Sequence, residues 1–153
     1  MCADKLCFVT SNEMTVEELE WGPHEWLSHP DLTDPDQLML VRVRMPPGKA
    51  HKFHRHPAME EIIYVESGHC EQWVDTKSRV LGPGEIAHIP RDTVHGTYNT
   101  SDETVVFLAI LSPARFEGPW LVDVSGEEPW RSIRERCSGR RGPSGSASGG
   151  RRC

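Results

Sequence analysis

The stretch GKAHKFHRHPAMEEIIYVESG, residues 48–68, carries the side chains best suited to chemistry. His54 and His56 stand two apart, and Glu61 follows five positions later. Along a strand, residues i and i+2 face the same way. The two imidazoles would therefore aim at one spot, and imidazole with carboxylate is a ready set of ligands for a divalent metal. A turn at Pro57-Ala58 lets a following strand return Glu61 to that spot. The run IIYVE after it is β-branched and aromatic, and so reads as a strand. Spacing alone leaves a second reading open: two unrelated histidines beside a solvated Glu60-Glu61 pair.

A second group lies downstream, in GEIAHIPRDTVHGTYN, residues 84–99. Gly84 opens a strand, Pro90 closes it, and a turn delivers His95 on the next strand, supplying a third imidazole. The other histidines (His24, His29, His51, His69 and His88) show no such convergence and default to surface or hydrogen-bonded core positions. His88, on the strand before the Pro90 turn, is the best placed of them to support the site or to touch a substrate.

These residues must be positioned by strands. Leu38–Met45 reads as a strand with Met39, Val41, Val43 and Met45 on one apolar face, and Pro46-Pro47-Gly48 stops it. Further strands are expected over 69–75, 79–81, 85–89, 94–99, 104–111 and 120–124, with turn residues between them. Short strands with turn signals every 8–12 residues point to a sandwich or barrel, and the helical patterns a parallel α/β sheet needs are missing. Residues 1–37 are expected to pack on the barrel as an N-terminal strand (Leu6–Thr10), one helical turn capped by Thr15, and an irregular loop over 21–37. Trp21, Trp26 and Leu27 are large for a free loop and are expected to lie over an apolar surface or to wall the mouth of a pocket. The barrel is expected over 38–124 and a C-terminal helix over 125–136, where acids lead and bases trail along the helix dipole. Residues 137–153 form a Gly/Ser/Arg tail expected to be disordered.

Composition sets the frame. The 153 residues are 37% hydrophobic and 26% charged, as in a globular protein with room for one core. No run of about 18 apolar residues occurs, so no membrane partner is expected. The net charge of −6 becomes −10 over residues 1–136, once the four Arg of the tail are set aside. An acidic body is a poor partner for nucleic acid, and none is expected. The cysteine count of 5 is odd and shows no CxxC pairing, which favours mostly free thiols in a reducing, cytoplasmic setting.

Taken together, the two segments resemble the cupin superfamily, in particular its small single-domain metal-binding members. The first cupin motif, glycine, five residues, His-x-His, three or four residues, Glu, six residues, glycine, is met at Gly48, His54, His56, Glu61 and Gly68. The second, glycine, five residues, Pro-x-Gly, two residues, His, three residues, Asn, is met at Gly84, Pro90, His95 and Asn99, with Asp92 in place of a glycine. Asp tolerates left-handed turn geometry, so this departure is conservative. The motif spacing selects Glu61 over Glu60 as the carboxylate, which puts Glu61, Ile63 and Val65 inward and Glu60, Ile62 and Tyr64 outward.

The resemblance implies an all-β double-stranded β-helix, the jelly-roll barrel, with a metal held by His54, His56, Glu61 and His95. Three neutral imidazoles and one carboxylate leave a divalent ion at +1, still a Lewis acid, and Fe, Mn, Ni, Co, Cu and Zn are all compatible. The implied function is a metal-dependent enzyme acting on a small organic molecule in the barrel, foremost a dioxygenase-type oxidoreductase. Alternatives are a non-redox isomerase, decarboxylase or lyase, and a non-catalytic module binding a sugar-like molecule; the fold alone does not choose. No catalytic residue beyond the ligands is placed by the sequence. Small cupins commonly pair through their outer sheets, so a homodimer is expected, with Leu6–Thr10 as a strand that could be lent.

Overall fold

The computed structural model describes residues 5–138 and 151–152. In chain order the strands are β1 (Thr15–Leu19), β2 (Gly22–Ser28), β3 (Met39–Met45), β4 (Ala50–Arg55), β5 (Glu60–Ser67), β6 (Cys70–Val74), β7 (Lys77–Leu81), β8 (Ile86–Ile89), β9 (His95–Tyr98), β10 (Val105–Ser112) and β11 (Val122–Asp123). A helix, α1 (Trp130–Ser138), and a two-residue strand, β12 (Arg151–Arg152), follow. They form two six-stranded antiparallel sheets, ordered β1-β2-β3-β10-β5-β8 and β11-β4-β9-β6-β7-β12. The chain crosses repeatedly from one sheet to the other, as in a jelly-roll.

Period-2 patterning builds the core. Met39, Val41, Val43 and Met45 of β3 are all buried, as are Val105, Phe107, Ala109 and Leu111 of β10. In the central ladder Ala109 pairs with Val41 on one side and with Ile63 of β5 on the other, so one apolar face runs across three strands. Gly68 ends β5 at a φ of 73°, and a Cβ there would stand 2.7 Å from the Thr104 carbonyl oxygen, so only glycine fits the turn. Asn99 stitches the end of β9 to its surroundings. Its Nδ2 donates to the Met45 and Glu103 carbonyl oxygens at 2.8 and 2.7 Å, and its Oδ1 accepts from the Ser101 N–H at 3.0 Å.

A second apolar cluster lies outside the barrel. The outer face of β4, β6 and β9 carries Phe53, Trp73 and Tyr98, and α1 covers it with Trp130 and Ile133. Arg134 holds the helix down through a guanidinium 3.8 Å above the Tyr98 ring and an ion pair with Glu71 at 3.0 Å. The helix expected over 125–136 thus begins later, after Pro129, which lacks the N–H a helix interior needs.

The N-terminal region departs most from expectation. Leu6–Thr10 is no strand; the Thr10 N–H and hydroxyl donate to Glu13 Oε2 at 2.8 and 2.7 Å in a turn. The residues from Thr15 form β1 and not a helical turn, and the first part of 21–37 is β2 and not loop. One turn of helix has too few hydrogen bonds to offset its nucleation cost. The hairpin instead pairs Thr15 with Trp26 through Leu19 with Gly22, and β2 continues the sheet onto β3. Close approach to β3 requires Gly22, where a Cβ would lie 2.1 Å from the Arg44 carbonyl oxygen.

At the other end, the tail expected to be disordered over 137–153 lies, for residues 139–150 and 153, outside the described residues. Cys137 and Ser138 belong to α1, and Arg151 and Arg152 pair with Ser78 and Lys77. Among the described residues Cys7 and Cys70 are free thiols and Cys137 is disulfide-bonded. Among the described residues no helix is long and apolar enough to cross a membrane.

Candidate metal centre

Four side chains from three strands and one turn meet inside the barrel. His54 is near the end of β4, His56 one residue past it, and His95 opens β9, paired across the ladder with His54. Glu61 comes from β5 in the facing sheet. All four are buried, and one ligand atom from each lies within 4.8 Å of all the others. Glu61 Oε2 stands 2.8 Å from His95 Nε2 and 3.4 Å from His56 Nε2. Glu60 points outward, half-exposed, and meets His88 at 3.1 Å. Ile63 and Val65 are buried while Tyr64 is 38% exposed, so the inward register of β5 is the one that carries Glu61.

The backbone sets the orientation of each imidazole. His54 Nδ1 meets the Lys52 carbonyl oxygen at 2.6 Å, His56 Nδ1 that of Trp120 at 2.6 Å, and His95 Nδ1 that of Thr93 at 2.9 Å. A carbonyl oxygen only accepts, so each Nδ1 carries a proton and each ring turns its Nε2 inward. His54 Nε2, His95 Nε2 and Glu61 Oε2 are buried without a hydrogen-bond partner, the 2.8 Å approach of the last two being out of alignment. Lone pairs and a carboxylate gathered this closely in a dry interior repel one another unless a cation lies among them. The donor set fits a divalent transition metal, with backbone carbonyls fixing the ring tautomers as outer partners of ligating histidines do.

Electrostatics agree with that geometry. Burial drives the His54 imidazole well below its ordinary range, with His51 and His95 adding to the effect. Burial alone would raise the Glu61 carboxyl, but His95 and His56 overcome this and hold it well below the usual carboxylate range. Burial opposes charge on His56 too, yet Glu61 beside it leaves that imidazole raised.

The turn before His95 explains the residue that departs from the motif. Asp92 has a φ of 61° in the left-handed region. Its N–H donates to the His56 carbonyl oxygen at 3.0 Å, and its carboxylate pairs with Arg55. The turn that presents His95 is thereby fastened to the segment that presents His56.

A narrow cavity of about 30 Å³ opens onto the four residues. That is room for one or two waters in the present arrangement. Phe107, Leu111 and Val43 belong to its apolar wall, and Trp21, Trp26 and Trp120 line its mouth. Trp21 and Trp26 thus stand where sequence reasoning set its sharper alternative. His51 and His24 were left as bystanders, yet both line the cavity. The His51 ring lies between Trp21 at 4.1 Å and His54 at 3.7 Å, within 13° and 22° of parallel, and its burial there pushes its pKa down to about 3. A register shift between His51 and His54 in the β4–β9 ladder brings the two rings side by side, and nothing in the spacing signals such a bulge. His88, which looked the better candidate, sits on the outer surface with Glu60.

Comparison with known proteins agrees with the fold. Residues 41–111 match the family model described as "Cupin domain". The chain is 30% identical over 81 residues to quercetin 2,3-dioxygenase of Bacillus subtilis, a stretch covering 53% of this chain and 24% of that protein. It is 29% identical over 84 residues to the pectin degradation protein KdgF of Dickeya dadantii, covering 55% of this chain and 76% of that one. The solved structure of KdgF from Halomonas sp. superposes with a TM-score of 0.63 at 25% identity, over 72% of this chain and 96% of that one. The chain therefore spans only about a quarter of the dioxygenase it resembles. The motif-bearing barrel and the superposition together make this a small protein of the cupin superfamily.

Proposed function

We propose that the chain is a metal-dependent enzyme in which His54, His56, Glu61 and His95 hold a divalent transition metal, and that its reaction is of the dioxygenase type. The observation that carries the metal is the convergence of inward-turned Nε2 lone pairs and one buried carboxylate without hydrogen-bond partners. When bound, such an ion supplies a Lewis-acidic point with open positions where substrate oxygens and, for a redox-active metal, dioxygen can meet. The chain's own part is to orient the imidazoles through the Lys52, Trp120 and Thr93 carbonyls and to keep bulk water out with the tryptophans. The apolar wall suits dioxygen, itself an apolar molecule, and the likeness to a dioxygenase supports the same reading.

The same four residues support a second reading, a non-redox isomerase, decarboxylase or lyase, because a bound divalent ion can polarise a carbonyl with no change of oxidation state. Oxygen uptake separates the two. Protein loaded in turn with Fe, Mn, Ni, Co, Cu and Zn is given a ring compound with adjacent oxygens, and dissolved oxygen and substrate are followed together. Matched consumption of both is expected with a redox-active metal; turnover that persists without oxygen would favour the second reading. No turnover with any metal would leave a binding module.

We also propose a homodimer formed through the outer face of the β1–β8 sheet. There Leu38, Tyr64 and Ile86 are 60%, 38% and 54% exposed, whereas α1 already covers the outer face of the other sheet. Light scattering should give twice the chain mass, and Ile86→Lys should return it to one.

A further inference from the structure

The proposed metal site leaves open what kind of molecule enters it. Beyond the four candidate ligands, the polar side chains lining the cavity are His24, His51 and Thr97, and among the described residues no Lys or Arg lines it. Thr97 is already committed, since its hydroxyl donates to Gln72 Oε1 at 2.6 Å. Neighbouring cations are engaged elsewhere. Arg42 and Arg44 pair with Glu25 at 3.2 and 2.7 Å, and Arg55 pairs with Asp92. Lys49 and Lys52 line a neighbouring cleft that shares Trp21, His51 and His54 with the cavity, and there they lie alongside Glu20 and Asp123. A carboxylate or phosphate held away from the four ligands would thus be desolvated without a cation or a bidentate guanidinium to receive it.

The mouth of the cavity is instead aromatic. Trp26 and Trp120 meet in a tilted contact, with ring centroids 6.3 Å apart and planes inclined by 56°. A flat ring held between two indoles needs about 7 Å between them, two van der Waals contacts of about 3.5 Å. The pair falls short by less than 1 Å and a rotation. Trp26 is anchored by its Nε1–H, which donates to Glu17 Oε2 at 3.1 Å. Trp120 is 43% exposed and lies outside the strands, so no sheet packing fixes its ring beyond the contacts with Trp26 and His56. Its backbone is not free: the Trp120 carbonyl oxygen accepts from His56 Nδ1 at 2.6 Å, which keeps the indole 5.3 Å from the His56 ring. A guest between the indoles therefore lies directly over the four ligands.

We propose that the substrate is a planar aromatic or fully conjugated ring compound with no anionic group away from its metal-facing oxygens, admitted between Trp26 and Trp120. This rests on the metal-site reading of the preceding section for the position of those oxygens, while the indole clamp rests on the chain alone. A uronate does not fit it, because its puckered ring has no flat face for the indoles, and a dicarboxylate does not, because a charge held away from the metal finds no partner.

The test uses the full chain, stripped with chelator and, separately, loaded with redox-silent Zn(II). Each form is titrated calorimetrically with catechol, 3-hydroxyflavone, galacturonate and oxalate. Saturable binding of the two ring compounds is expected in both forms, and no saturable binding of galacturonate or oxalate in the stripped form. Trp120→Ala should weaken ring binding to the stripped form about tenfold, the loss of one aromatic stacking partner. Trp26→Ala should do the same and stands in if the first variant folds poorly. Galacturonate or oxalate binding more tightly than both ring compounds overturns the proposal, and so does ring binding that neither variant weakens. Failure of the metal-site reading shows separately, as absent Zn(II) binding in a protein whose stripped form still takes up the rings.

Discussion

Which nitrogen of each imidazole carries its proton governs the centre. Three backbone carbonyls hold the Nδ1 protons of His54, His56 and His95, so the lone pairs that remain point inward at Glu61. Glu61 is the sole anion of the set. Glu61→Gln is therefore expected to lower metal affinity by at least about 100-fold, beyond the loss usual for an outer-sphere partner, as read by competition with a chelating dye. Glu60→Gln, at an exposed position, should change affinity by less than about twofold. Equal losses for the two variants would mean that the inward carboxylate does not bind the ion.

The same residues make the metal-free protein acid-sensitive. His51, with a pKa of about 3, and His54, depressed well below 6.5, bind fewer protons folded than unfolded. Their contribution to stability is present above the unfolded value of about 6.5 and is lost as pH falls below it. The lowered Glu61 adds a loss of the same sign, beginning near its unfolded value of 4.5. His56, raised, acts in the opposite direction: its contribution is full below 6.5 and fades as pH rises. Two groups against one give a net loss of about 1–2 kcal/mol between pH 7.5 and 5.5. Denaturant unfolding of chelator-treated protein at the two values measures it; unchanged or greater stability at 5.5 would contradict the buried neutral imidazoles. At this scale the four convergent residues were legible, because strand alternation and fixed spacing carry them. His51 was not, since a bulge that depends on the whole β4–β9 ladder brings it against His54.

At the scale of elements, the strands that read clearly are those with one face in the core. Along β3 and β10 every second residue is apolar and buried, and that period is visible in sequence. Strand β2 was missed because its inward positions, His24 and Trp26, face the cavity and not the oil, so the alternation carries polar residues on both faces. Strand β1 is exposed along its whole length and has no buried face to give a period. The C-terminal helix was legible from the acids that precede it and the bases that trail, though its start was set by Pro129. Its docking can be tested apart from the site. Ile133 is 3% exposed, and Ile133→Ala should cost about 2–4 kcal/mol of stability by leaving a cavity over Phe53 and Trp73. Metal affinity should hold, because none of the four candidate ligands lies on α1. A matching fall in affinity would show that the helix, through β4, helps to set His54.

At the scale of the whole molecule, two sheets share one interior, and the site occupies the end where β4 and β9 face β5. The motif glycines and Asp92 turn the chain at the corners, so the four side chains reach one point from both sheets without any helix being needed. Substrate character was not legible, because it depends on Trp26 and Trp120, 94 positions apart in sequence and 6.3 Å apart in space. The central claim is that this interior holds a metal. Elemental analysis of untagged protein, purified without chelator and back-titrated after stripping, tests it most directly. The expected result is about one divalent transition-metal ion per chain, with bonds of about 2.0–2.3 Å to His54, His56, Glu61 and His95 by X-ray absorption. Substoichiometric metal, together with no binding heat from Fe, Mn, Ni, Co, Cu or Zn at neutral pH, would contradict it.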